Sequence, residues 1–184
     1  VLGGGFVRGT VLAVGGRLGM GRTTLMLQIA CKIPGARYLS GDQTTEDLVA
    51  LAKRIGHTIK LCRGDWNGID LEYELEDLAN KKIPLLVVDS LQTMRVTRGR
   101  YSTSAQTKAV VKRLLEFAQY TNTAVVIICH DNKNGKMAGP AAIRHMVDGV
   151  LRVDRVSDTL VGLDENVRDI WIDGKYRYGR SDLS

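Results

Sequence analysis

Cysteine is scarce and unpatterned in this chain. Cys31, Cys62 and Cys129 are odd in number, far apart and without a C-x-x-C pair, which excludes both a disulfide framework and a zinc module. A reducing compartment suits that usage. Long apolar runs are also missing: no stretch reaches the ~18 residues of a membrane-spanning helix. The opening Val1-Leu2-Gly3-Gly4-Gly5 lacks the basic start and apolar centre of a signal peptide, so a cytoplasmic protein without membrane association is the expectation. There is no internal repeat, low-complexity segment or interdomain linker, and 184 residues suit a single domain over 1–184.

Hydrophobic residues make up 44% of the chain, enough to fill a core, and charged residues 25%, which excludes a disordered tail. Twenty-six Lys and Arg against twenty Asp and Glu leave a net charge of +6, a balance that favours polyanionic partners.

Apolar, β-branched runs alternate with stretches of helical spacing, the pattern of a mostly parallel sheet covered by helices, and so of an α/β fold. Thr10 to Gly15 reads as a strand, Thr23 to Lys32 as a helix, Arg37 to Ser40 as a short strand, and Thr44 to Ile55 as a helix capped by Thr44 or Thr45. Leu85 to Asp89 and Ala124 to Cys129 are continuous apolar runs, as in strands buried on both faces. Between them Ser104 to Tyr120 carries a helical apolar stripe. Val147 to Val153 and Val167 to Ile172 are expected as later strands, antiparallel additions to the sheet.

Gly16-Arg17-Leu18-Gly19-Met20-Gly21-Arg22-Thr23 follows the first strand and opens the first helix, with the spacing G-x-x-x-x-G-basic-Thr of a phosphate-binding loop. Amides from Gly19 through Met20, Gly21 and Thr23 to Thr24 would converge on phosphate oxygens, helped by the helix N-terminus, and Thr23 would offer a hydroxyl to Mg²⁺. The usual Lys is replaced by Arg22, whose planar fork pairs phosphate oxygens but follows a transferring phosphoryl group less readily. Asp89, ending a buried strand, is the natural second support for the metal. Asp42, just past the second strand, could orient the attacking water, and His130, closing the strand from Ala124, could sense the γ-phosphate. Each has a plainer alternative: a ligand-free glycine turn, a capping Asp89, a turn-forming Asp42, a structural His130.

These segments resemble the motor domain of the RadA (Sms) family of bacterial DNA repair and recombination proteins, relatives of RecA. The resemblance is carried by Leu2-Gly3-Gly4-Gly5, Tyr38-Leu39-Ser40-Gly41-Asp42 and Val88-Asp89-Ser90-Leu91-Gln92-Thr93-Met94. It is most specific in His130-Asp131-Asn132-Lys133-Asn134-Gly135-Lys136-Met137-Ala138-Gly139-Pro140, and it extends to Lys175-Tyr176-Arg177-Tyr178-Gly179, similar to the family's K-N-R-F-G signature.

The resemblance implies a RecA-like fold, ATP as the nucleotide, a homo-oligomeric ring of six, and Lys175 and Arg177 reaching the neighbouring subunit's nucleotide. It also implies that Arg95, Arg98, Arg100 and Tyr101, with Lys133 and Lys136, line the channel and contact single-stranded DNA, the cations on phosphates and Tyr101 on a base. Solvated loops and a basic hairpin end are the bland alternatives. Three departures stand out: Arg22 for Lys, Asp42 for the family's catalytic Glu, and no zinc finger or protease-like domain within these residues. A carboxylate one methylene shorter falls about 1.5 Å short of the attacking water, a misplacement that can cost ~10²-fold in rate. Two rivals follow: a DnaB-type helicase motor, suggested by Met20-Gly21-Arg22-Thr23-Thr24, and a nucleotide-binding ring module that hydrolyses hardly at all. A chain beginning at Val1 is expected to be a piece of a longer protein or a minimal relative, such as one encoded by a phage.

Overall fold

The computed structural model describes residues 5–59, 62–96, 103–131, 142–155, 168–174 and 177. In chain order its elements are β1 (Val11–Gly15), α1 (Arg22–Lys32), β2 (Arg37–Ser40), α2 (Thr45–Arg54), β3 (Cys62–Gly64), β4 (Ile69–Asp70) and α3 (Leu71–Ala79). There follow β5 (Leu85–Asp89), a 3-10 turn (Leu91–Thr93), β6 (Met94–Arg95), α4 (Thr103–Thr121), β7 (Ala124–Ile128), α5 (Ala142–Met146), β8 (Gly149–Arg155) and β9 (Arg168–Ile172).

A seven-stranded sheet runs in the order β3-β2-β5-β7-β1-β8-β9. Every pairing is parallel except β8 with β9. The expectation of antiparallel additions is therefore corrected for β8, which lies parallel to β1 with Leu12 opposite Gly149 and Gly15 opposite Arg152. A two-residue parallel ribbon, β4 with β6, sits apart from the main sheet.

Side chains on the central strands alternate between two cores, as the two-residue strand period requires. Val11, Leu86, Val88, Val125 and Ile127 pack with Leu75 of α3 and Val110 and Leu114 of α4 on one face. Val14, Leu85, Val87, Val126 and Ile128 pack with Leu27 of α1 and Leu48 of α2 on the other. Both faces are covered, so β1, β5 and β7 are buried at every residue.

Local chemistry sets the helix starts. Thr44 and Asp47 form a reciprocal capping box at α2, with Asp47 N–H to Thr44 Oγ1 at 3.1 Å and Thr44 N–H to Asp47 Oδ2 at 3.2 Å. Asp70 caps α3 by accepting from Glu72 N–H at 3.1 Å. Among the described residues no side chain caps the first turn of α1. Its cap residue is Gly21, whose φ of 78° is a left-handed conformation natural to glycine. The first amides of α1 are therefore left for another acceptor.

Candidate nucleotide-binding site

Parallel strands end on one edge of the sheet, and that edge is where α/β proteins bind ligands. β1, β5 and β7 deliver the phosphate loop, Asp89 and His130 there, and β2 delivers Asp42. A cleft of about 470 Å³ opens between them, lined by Gly19, Met20, Gly21, Arg22, Thr23 and Thr24 on one side and Asp42, Asp89 and His130 on the other.

The loop is shaped to stay open. Gly19 and Gly21 have φ of 80° and 78°, with nothing near where a side chain would begin. At Gly16 a side-chain carbon would collide with the Val153 carbonyl, so β8 packs directly against the root of the loop.

Thr23 Oγ1 donates to Asp89 Oδ2 at 2.8 Å, tying the first turn of α1 to the end of β5. The same oxygen accepts from Tyr38 Oη at 2.8 Å. Burial pushes the Asp89 carboxyl above its ordinary value, and the bonds from Tyr38 and Thr23 oppose that rise by stabilising the charged form. Burial beside Asp89 raises the Tyr38 phenol well above its usual range, so it remains a donor. The Asp89–Ser90 peptide is cis.

Asp42 faces His130, with Nε2 3.5 Å from Oδ2. The His130 hydrogen bond holds the Asp42 carboxyl below its ordinary value, burial opposes this, and the Ser90 hydroxyl adds to it. Oxygen and nitrogen atoms of Asp42, Asp89 and His130 all lie within 4.8 Å of one another. Hydroxyl and carboxylate oxygens from Thr23 and Asp89 are hard donors of the kind Mg²⁺ takes, beside an uncapped helix N-terminus suited to phosphate. The residues present therefore fit magnesium and a nucleotide phosphate chain.

Arg22 is buried, and its Nη1 donates to the Cys129 carbonyl at the end of β7. Burial lowers the pKa of its guanidinium, while Asp131 and then Asp89 counteract this. Next to it, Arg152 of β8 grips Asp131 with two bonds, Nη1 to Oδ1 at 2.8 Å and Nη2 to Oδ2 at 2.7 Å. His130 N–H donates to Gln92 Oε1 at 3.4 Å, linking the end of β7 to the turn after β5.

No protein-family model matches the chain. DNA repair protein RadA from Brucella abortus (strain 2308) is 32% identical over 166 residues, covering 82% of this chain and 34% of that protein. RadA from Aquifex aeolicus (strain VF5) is 34% identical over 158 residues, covering 83% and 35%. Among solved structures, a DnaB-like replicative helicase superposes with a TM-score of 0.73 at 15% identity, over 96% of this chain and 54% of that one. The RadB recombinase superposes at 0.64 and 20%, over 97% and 92%. The chain has a RecA-like fold and is similar in sequence to DNA repair protein RadA. It spans about a third of the length of the curated relatives it matches.

Of the residues singled out in the sequence, the RecA-like fold brings Gly16, Gly19, Met20, Gly21, Arg22, Thr23, Thr24, Asp42, Asp89 and His130 to one edge. Arg177 lies elsewhere. Its Nη1 is 3.3 Å from Asp148 Oδ1, and Asp148 N–H donates to the Val11 carbonyl at the opposite end of β1. Arg95 is exposed on β6. Arg98, Arg100, Tyr101, Lys133, Lys136 and Lys175 lie outside the described residues. Tyr38, Gln92, Asp131 and Arg152 carry the supporting contacts and were not read from sequence as site residues. A tyrosine in an otherwise apolar strand segment was the available signal for Tyr38, since a buried hydroxyl needs a partner.

Proposed function

We propose that this domain is the ATP-dependent motor of a RadA-type protein, remodelling single-stranded DNA in recombination and repair, in the cytoplasm and as a homo-oligomeric ring, six subunits being the expected number. The observation that carries this reading is the 2.8 Å bond from Thr23 Oγ1 to Asp89 Oδ2, which joins the phosphate loop to the buried end of β5. Thr23 and Asp89 would hold magnesium there, and the ion would supply positive charge against the negative charge that builds up during transfer. Loop amides from Gly19 to Thr24 would bind the phosphates, Asp42 would orient water, and His130 would respond to the γ-phosphate and pass the change to the segment that follows it.

Arg177 supports a shared site. Asp148 contacts Val11 while the phosphate loop follows Gly15, and four residue steps at ~3.3 Å put about 13 Å of strand between them. On that reckoning Arg177 stands apart from the cleft of its own chain. Lys175 and Arg177 would instead stabilise the phosphoryl group bound by a neighbour, making turnover depend on assembly.

The test is phosphate release from ATP with Mg²⁺, with and without single-stranded DNA. Asp89→Ala should abolish it. Arg177→Ala and Thr23→Ala chains should each be inactive and regain part of the rate when mixed, because some interfaces then pair an intact loop with an intact arginine. No recovery on mixing contradicts the shared site. Unwinding of forked DNA in place of branch migration favours the DnaB-type motor.

One observation favours a second reading, a nucleotide-binding ring module with little hydrolysis: the Arg22 guanidinium is engaged with the Cys129 carbonyl. A parent without measurable turnover that gains it on Arg22→Lys with Asp42→Glu would establish that reading.

A further inference from the structure

Trp66 is 70% exposed, on the segment Gly64-Asp65-Trp66-Asn67-Gly68 between β3 and β4. An exposed indole leaves apolar surface in water that a partner could bury. This one is presented on a rigid mount. Asp65 N–H donates to the Ser40 carbonyl at 2.9 Å, Asn67 N–H to Asp65 Oδ1 at 2.9 Å, and Gly68 N–H to the Asp65 carbonyl at 3.0 Å.

Both flanking glycines are required by close approach. A side-chain carbon at Gly64 would collide with the Gln43 carbonyl, and one at Gly68 would stand 2.7 Å from the Thr93 carbonyl in a left-handed conformation with φ of 90°. The indole is thus held out on the same sheet edge as Asp42, because Ser40 and Gly64 are register partners at the ends of β2 and β3.

A cation lies against Gly68, two residues along from Trp66. The position of a Gly68 side-chain carbon would be 3.3 Å from Arg95 Nε, and the β4–β6 ribbon pairs Asp70 with Arg95. Nearby acids are occupied: Asp65 accepts from Asn67, Asp70 from Glu72 N–H, and Glu74 pairs with Arg63 at 2.7 Å. Among the described residues no carboxylate forms an ion pair with Arg95. The sequence runs on from Arg95 into Thr97-Arg98-Gly99-Arg100-Tyr101.

We propose that Trp66 is a stacking platform for an unpaired nucleic-acid base, with Arg95 on the adjoining phosphate. The proposal rests on the DNA-motor reading and adds a contact surface to it. An exposed aromatic face with a guanidinium on the ribbon that follows its turn suits a single strand, because every base offers a π-face and every nucleotide a phosphate. Stacking carries no ionic component, so the two residues have separable signatures.

The experiment uses the 184-residue chain with Trp171→Phe, which leaves Trp66 as the single tryptophan. An oligo(dT) strand should quench its emission. Trp66→Ala should weaken oligo(dT) binding about tenfold or more with the salt dependence unchanged, and Trp66→Phe should restore most of the affinity. Arg95→Ala should instead lower the slope of log affinity against log salt by about one. Unchanged affinity in Trp66→Ala together with unmoved Trp66 emission overturns the proposal and leaves the motor reading intact. Emission that shifts with protein concentration alone, again with unchanged affinity in Trp66→Ala, overturns it in favour of a contact between copies. A parent chain that binds no single strand with or without nucleotide overturns both.

Discussion

The Tyr38 hydroxyl lies 2.8 Å from Asp89 Oδ2, the oxygen that also accepts from Thr23. Tyr38 is wholly buried in β2, so its ring fixes where the hydroxyl stands, and the hydroxyl fixes one edge of the carboxylate. Partners of this kind orient metal-supporting groups without touching the metal, and their loss typically costs 10–100-fold in metal affinity.

Tyr38→Phe should therefore raise the Mg²⁺ concentration needed for nucleotide binding by about tenfold or more. Binding measured in EDTA should change little, and thermal stability should fall by about 1 kcal/mol for the lost hydrogen bond. A Mg²⁺ titration that superimposes on the parent's contradicts this role.

Arg22 is held by two opposing needs, the Cys129 carbonyl at the end of β7 and the phosphates its loop position implies. Lysine has a compact ammonium and no fork, so Arg22→Lys should give up the carbonyl contact and free the cation for phosphate. Faster phosphate release per nucleotide bound is expected, on the order of tenfold and further increased by Asp42→Glu, as misplacements near 1 Å can cost 10²-fold. Equal rates in parent and both variants contradict the account of Arg22 and Asp42 as the features limiting turnover.

Much of this was legible in sequence. Runs such as Leu85 to Asp89 are apolar at every position because both faces of β5 are covered, and the Gly16 to Thr23 spacing gave the loop. α3 was missed although Leu71, Leu75 and Leu78 have helical spacing. Its polar residues hid it: Glu72 and Glu74 are themselves buried, paired with Arg113 of α4 and Arg63 of β3. β4 and β6, two residues each, are too short to show a period. The Arg152 and Asp131 pair was invisible for a related reason, since pairing between β8 and the end of β7 depends on strand order, which local pattern does not encode.

That pair carries its own prediction. Side chains of Arg152 and Asp131 are 12% and 5% exposed, so removing one leaves a buried charge without its partner. Arg152→Leu should destabilise the fold by about 3–5 kcal/mol, read as a lowered denaturant midpoint. A loss below 1 kcal/mol contradicts the pair's structural role.

Acid should act through Asp42. His130 depresses its carboxyl in the folded chain, so the resulting stabilisation is present above the ordinary aspartate value of ~3.9 and is lost as pH falls through the lowered folded value. His130→Ala should move the Asp42 titration upward in carboxyl NMR. An unmoved midpoint means the 3.5 Å contact does not persist in solution.

The central claim is tested most directly by calorimetry with ATP and Mg²⁺ on the parent chain and on Thr23→Ala and Asp89→Asn. The account predicts saturable one-site binding by the parent, strongly reduced in EDTA, with the Mg²⁺-dependent part lost in both variants. No heat from the parent, or binding that is indifferent to Mg²⁺ and to both substitutions, would contradict it.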